Sequence, residues 1–158
     1  MKVKLFSLFM ALGFLLSAGG GGGNDSGTAD NNAEPVLTPE EKMLAEGKGV
    51  GEVKAVELTT PLDQTRITRG KDVYDMKCAA CHRLDETRVV GPGWKGLTEK
   101  RKPEWIMNMI TNVEVMLEKD KEAQDLLQLC LTRMPNQNVS IGDARDILEF
   151  MRKNDGVE

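Results

Sequence analysis

Apolar and polar residues alternate in blocks along this chain before any helical period sets in. Leu5 to Leu16 is almost wholly apolar, with Ser7 and Gly13 the mild exceptions. From Gly19 to Pro35 five glycines run into Asn, Asp, Ser and Thr with hardly an apolar side chain, a composition that cannot bury enough surface to fold. Thr38-Pro39-Glu40-Glu41 starts a helix: Thr38 caps, Pro39 suits the first helical position and Glu41 reaches back. That helix is short, because Gly47, Gly49 and Gly51 follow. Val53 to Leu58 alternates imperfectly and predicts an extended run across a surface.

A helical period begins at Thr68, a capping residue, with Gly70, Val73, Tyr74 and Cys78 recurring at threes and fours. Residues 83–100, broken by Gly91-Pro92-Gly93 and Gly96, read as loop. Pro103 opens a second helix with Trp105, Ile106, Met109 and Ile110 on one side. Lys119 to Leu131 predicts a third, with Ala123, Leu126, Leu127 and Cys130 inward. Met134 to Val139 is a loop stopped by Pro135. Ser140, with Asp143 three residues on, caps a last helix whose inner face is Ala144, Ile147, Leu148 and Met151. No stretch demands a sheet and no repeat is visible, so the fold class is mainly α.

Lys2 and Lys4 before the apolar run, and Ser17, Ala18 and Gly19 after it, make residues 1–18 an export signal. The run is too short for a permanent membrane span. Leu16-Ser17-Ala18 resembles the start of a lipoprotein box, but Gly19 stands where the lipid-bearing cysteine would be. The expected organisation is a signal peptide over 1–18, a flexible tether over 19–35, an acidic extension over 36–65 and a folded domain over 66–158, in a periplasmic protein without a transmembrane anchor. The net charge of −4 is uneven: residues 19–65 hold nine acidic and three basic side chains, residues 66–158 sixteen of each. The acidity therefore belongs to the leader, and it argues against nucleic acid as a partner. Aromatic residues make up only 4 % of the chain, so a bound apolar cofactor could complete the core.

Cys78-Ala79-Ala80-Cys81-His82 is the c-type haem attachment pattern. Two thiols three residues apart on a helical turn can reach both vinyl groups of one porphyrin, and His82 then stands over the iron as its proximal ligand. Zinc would need four ligands from Cys78, Cys81, Cys130 and His82, awkward with His82 adjoining Cys81. A thioredoxin-like dithiol would follow a strand, and none is predicted. A plain disulfide is the bland alternative. His82 is the only histidine, so two histidines cannot ligate one iron and no second such haem fits. Among nine methionines, Met107, Met109 and Met151 read as core fillers in helices. Met134, in a loop before Pro135, is the best placed to cross to the far side of the haem; Met116 and an open iron remain alternatives. Cys130 reads as a small buried apolar residue, or else as a surface thiol.

The segment from Gly70 onward resembles a class I cytochrome c. The Gly70-Lys71-Asp72-Val73-Tyr74 pattern with Phe150, the Cys-x-x-Cys-His motif, Gly91-Pro92 and Met134-Pro135 follow the family's order over about ninety residues. The resemblance implies a cytochrome c fold, with N- and C-terminal helices crossing around one covalently bound haem c. It implies that His82 donates to the Pro92 carbonyl, that Trp94 packs in the haem pocket and that Met134 is the distal ligand. It implies a monomeric electron-transfer protein, not an enzyme and without catalytic residues. The reading is a shuttle between a donor such as a quinol-oxidising complex and a terminal reductase or oxidase. A haem-based gas sensor or redox enzyme with an open iron, or a haem subunit of a larger complex, is the alternative. Lys95, Lys100, Arg101 and Lys102 form a basic cluster that could steer an acidic partner.

Overall fold

The computed structural model describes residues 36–158; the expected signal over 1–18 and tether over 19–35 lie outside them. The described residues form seven α-helices and no strand: α1 (Pro39–Ala45), α2 (Gln64–Val73), α3 (Leu97–Lys100), α4 (Pro103–Thr111), α5 (Val113–Lys119), α6 (Lys121–Cys130) and α7 (Ile141–Asn154). None is long and apolar enough to cross a membrane. α1 has the capping box expected of Thr38 and Glu41, and Ser140 caps α7 through Asp143 N.

Three local expectations need correction. α2 begins before Thr68, because the Asp63 carboxylate accepts from Thr65 N and Arg66 N and so satisfies the free N–H groups at the helix start. Residues 83–100 end in the single turn of α3. α5 separates α4 from α6, and α6 starts at Lys121 under an Asp120 cap, not at Lys119. Asp120 also accepts from Trp105 Nε1 at 3.0 Å, which ties the cap to α4.

The two terminal helices of the domain cross at Gly70. A Cβ at that position would lie 2.1 Å from the carbonyl oxygen of Asp146 in α7, so only a glycine lets the two backbones meet. Tyr74 then packs on Phe150, ring centroids 5.5 Å apart. Ala144, Ile147, Leu148 and Met151 are buried, as their spacing on α7 predicts. Arg66 and Arg69 of α2 both pair with Asp146. Burial opposes ionisation of Asp146, but the two guanidinium groups outweigh it and hold its pKa below the ordinary carboxylate value.

Residues 36–65 belong to the same compact unit as the remaining described chain. Val50, Val53 and Leu62 are buried in it. The backbone of residues 48–63, the extended run over Val53–Leu58 included, has no partner strand, so its groups need other partners. Side chains of α4, α5 and α7 supply them. Asn108, with no exposed surface, accepts from Val53 N at 3.1 Å and donates to the carbonyls of Val53 and Lys48. Glu104 accepts from Val56 N, Glu149 from Asp63 N, and Arg152 donates to the Thr59 carbonyl. Met116 of α5, also fully buried, accepts from Val50 N through its sulfur at 3.0 Å.

Candidate haem site

Past Val73, α2 widens into a π-helical turn, Tyr74–Cys78, which delivers Cys78, Cys81 and His82 to one cavity. The turn is fixed from below, where Tyr74 Oη donates to the His82 carbonyl at 2.8 Å. From above, Gly91 N donates to the Cys81 carbonyl at 3.0 Å and closes the following loop onto the motif.

The imidazole of His82 is positioned by that loop. Its Nδ1 lies 2.9 Å from the Pro92 carbonyl oxygen. A carbonyl can only accept, so Nδ1 carries the proton and donates. Burial lowers the His82 pKa, against the opposing pull of the Pro92 bond, so the ring is neutral at pH 7 and Nε2 keeps its lone pair free. Gly91 makes room for the ring: a Cβ there would stand 2.3 Å from His82 Cε1. Trp94 is buried with its ring centroid 5.6 Å from that of His82 and 4.8 Å from that of Tyr74.

The cavity has a volume of about 380 Å³. Pro92 and Trp94 line it beside His82, with Ile106, Met109 and Ile110 from α4, Leu126, Leu127 and Cys130 from α6, and Met134 from the loop before α7. Its wall is overwhelmingly apolar. Burial pushes the Cys78 thiol up to about 11, so it is protonated at neutral pH. None of the three cysteines is in a disulfide. Among the described residues no three of His, Cys, Asp and Glu converge to hold a bare metal ion.

Every residue singled out for the haem therefore lines one cavity: Cys78, Cys81, His82, Pro92, Trp94 and Met134. These residues fit a haem. Two thiols on one turn can form thioethers, a neutral nitrogen donor follows them, a sulfur donor comes from a separate loop, and apolar walls suit a porphyrin. Met116 is not in the wall; its sulfur is engaged by Val50. Met109, Met151 and Cys130 do line the cavity, which their helical periods did not reveal. Cys130 is half-buried there, neither deep in the core nor a free surface thiol. The basic cluster is partly used within the fold. Arg101 pairs with Glu122 and sits 5.0 Å over the Trp105 ring, and Lys95 Nζ donates to the Asn154 carbonyl at 3.2 Å.

The family model for cytochrome c matches residues 67–155. Among solved structures, a cytochrome c from Rhodothermus marinus is 34 % identical, over 73 % of this chain and 97 % of its own, with a TM-score of 0.66. An engineered form of that cytochrome, bound to a carbene intermediate, is 33 % identical over 72 % of this chain and 96 % of its own, with a TM-score of 0.64. No curated protein matches the chain.

Proposed function

Since the chain belongs to the cytochrome c family, we propose that it is an exported one-electron carrier whose single haem c is ligated by His82 and Met134. The observation that carries this reading is the convergence of Cys78, Cys81, His82 and Met134 on one apolar cavity. Haem c, bound through thioethers to Cys78 and Cys81, supplies a one-electron couple. His82 offers Nε2 because Pro92 holds the proton on Nδ1. The Met134 sulfur, which lines the same cavity, would as a ligand favour the reduced state relative to a second nitrogen ligand. Trp94 and Gly91 keep the imidazole in one orientation, and the apolar wall excludes water. Were His82 and Met134 both to hold the iron, electron transfer would need no acid, base or nucleophile from the chain. The basic, then apolar, start of the sequence supports a periplasmic location.

The partners in this reading are a donor such as a quinol-oxidising complex and an acceptor such as a terminal reductase or oxidase. They dock where the cavity wall meets solvent, at Val90, Thr132 and Arg133. Leu129 is 59 % exposed and Leu131 87 %, Val89 and Val90 are also exposed, and Arg88 joins the two segments by donating to the Leu129 carbonyl. Leu131 has a φ of +56°, a conformation that leucine adopts at a cost. Exposed apolar side chains on the segments that carry Arg88 and Arg133, with Lys77 in the cavity wall, suit a partner with an apolar spot rimmed by carboxylates. Leu131→Gln should slow electron exchange with such a partner about tenfold at low and high salt alike. Lys100→Gln should act only at low salt. Stopped-flow kinetics against ionic strength separate the two; an unchanged rate for Leu131→Gln would remove this face from the docking surface.

The reading itself is tested on protein matured in a periplasm that attaches c-type haem. The haem should resist extraction into acidified organic solvent and show a c-type reduced spectrum, with a weak far-red iron–sulfur band when oxidised. Extractable haem would sink the thioether assignment. A haem without the far-red band that takes carbon monoxide readily would replace the carrier by a gas-binding or catalytic protein.

A further inference from the structure

The last turn of α7 lies against the loop that presents Pro92 and Trp94, and two adjacent residues hold that loop at both ends. Asn154 Nδ2 donates to the Leu84 carbonyl at 2.9 Å, just after His82. At the far end, the Asp155 carboxylate accepts from Gly96 N at 2.7 Å, Thr98 N at 2.9 Å and Thr98 Oγ1 at 2.7 Å. The stretch between is closed on itself by Trp94 N donating to the Arg83 carbonyl at 2.9 Å. Backbone bonds within the loop, Gly91 N to the Cys81 carbonyl at 3.0 Å among them, set its shape around Pro92, while the two α7 side chains anchor its ends to the rest of the fold.

We propose that Asn154 and Asp155 are positioning residues for the proximal imidazole. By fixing Leu84 and Gly96 they fix the Pro92 carbonyl, and with it the bond that sets the tautomer and orientation of His82. The proposal rests on the reading of His82 as the axial ligand. A hydrogen bond donated from the far nitrogen raises the basicity of a ligating imidazole. A more basic ligand favours the oxidised iron, so loosening the loop should move the midpoint potential in the positive direction. A residue that merely stabilises α7 would lower the melting temperature and leave both properties of His82 alone.

The test uses the haem-loaded protein with four variants: Asp155→Asn, Asp155→Glu, the double variant Asn154→Ala/Asp155→Ala, and Ile147→Val. Ile147→Val lies in the middle of the same helix and costs stability without removing any hydrogen bond to the loop. Exchange of the His82 Nδ1 proton is followed by NMR on the reduced protein, beside potentiometry. In the double variant the exchange should be about tenfold faster at a temperature well below melting, with a positive shift in potential. Asp155→Asn should fall between it and the unmodified protein, and Asp155→Glu should return towards the latter. Ile147→Val should move neither readout. The proposal is overturned if the double variant keeps the original exchange rate and potential, or if Ile147→Val changes both as much. Should the double variant fail to load haem, unchanged values in Asp155→Asn overturn it alone. A loaded protein whose His82 ring proton carries no haem ring-current shift would sink the axial-ligand reading, and the proposal with it.

Discussion

Met134→Ala is expected to abolish the far-red iron–sulfur band, lower the midpoint potential and open the iron to carbon monoxide. On the proposed ligation Met134 is an intramolecular competitor, tethered to the cavity it lines and held at high effective concentration. Removing it should raise carbon monoxide affinity by on the order of a hundredfold. The potential should fall because the soft sulfur that favours ferrous iron is gone. Met116→Ala is the informative contrast. Met116 is fully buried and its sulfur accepts from Val50 N, away from the cavity. Its loss should leave the band in place and cost about 3 kcal/mol of stability through the hole it leaves. Met109 and Met151 also line the cavity. If the band survives in Met134→Ala and disappears in Met109→Leu or Met151→Leu, the distal ligand has been misassigned.

Gly70→Ala should be a severely damaging single-methyl change. The added Cβ would stand 2.1 Å from the Asp146 carbonyl oxygen and 2.9 Å from Ile147 N, all backbone atoms that no rotamer change can move. Helices α2 and α7 would have to separate, and with them the packing of Tyr74 on Phe150 and the pairing of Arg66 and Arg69 with Asp146. A cost of about 3 kcal/mol follows from overpacking of this kind, or a melting temperature lower by roughly 10 °C. Gly142→Ala supplies the control. It lies in the first turn of α7 with only the Ser140 hydroxyl near, at 3.7 Å. The same methyl there should be neutral or stabilise by about 0.5 kcal/mol through helix propensity. Thermal melts of both haem-loaded variants decide the matter; equal melting temperatures would mean that the crossing is not as close as described.

The expected helix crossing rests on the family pattern that sets Gly70 and Tyr74 against the distant Phe150, so it was legible through the resemblance. The haem attachment turn, its imidazole and the capping of α1 and α7 were likewise legible, because each depends on residues within a few positions of one another. The start of α2 was misread at Thr68 because Asp63, the better cap, follows Pro61 and Leu62 in a stretch with no helical period. α5 was not seen because Asn112, which divides it from α4, carries no proline or glycine signal.

What the residues determined by themselves is the chemistry: two thiols, one imidazole and a loop methionine, with an aromatic-poor core around them. The family and its covalent haem follow from that set. What only the tertiary structure decided is which long-range polar contacts hold the set in place. Asn108, Glu104, Glu149 and Arg152 look in sequence like ordinary polar positions on helices. Folded, they are buried and carry the backbone of residues 48–63, which has no strand to pair with. Asn154 and Asp155 look like the frayed end of a helix, yet they grip the loop behind His82. The reason is common to both cases. A buried backbone group must find a partner, but nothing in a linear pattern says which distant side chain will be near enough to provide it.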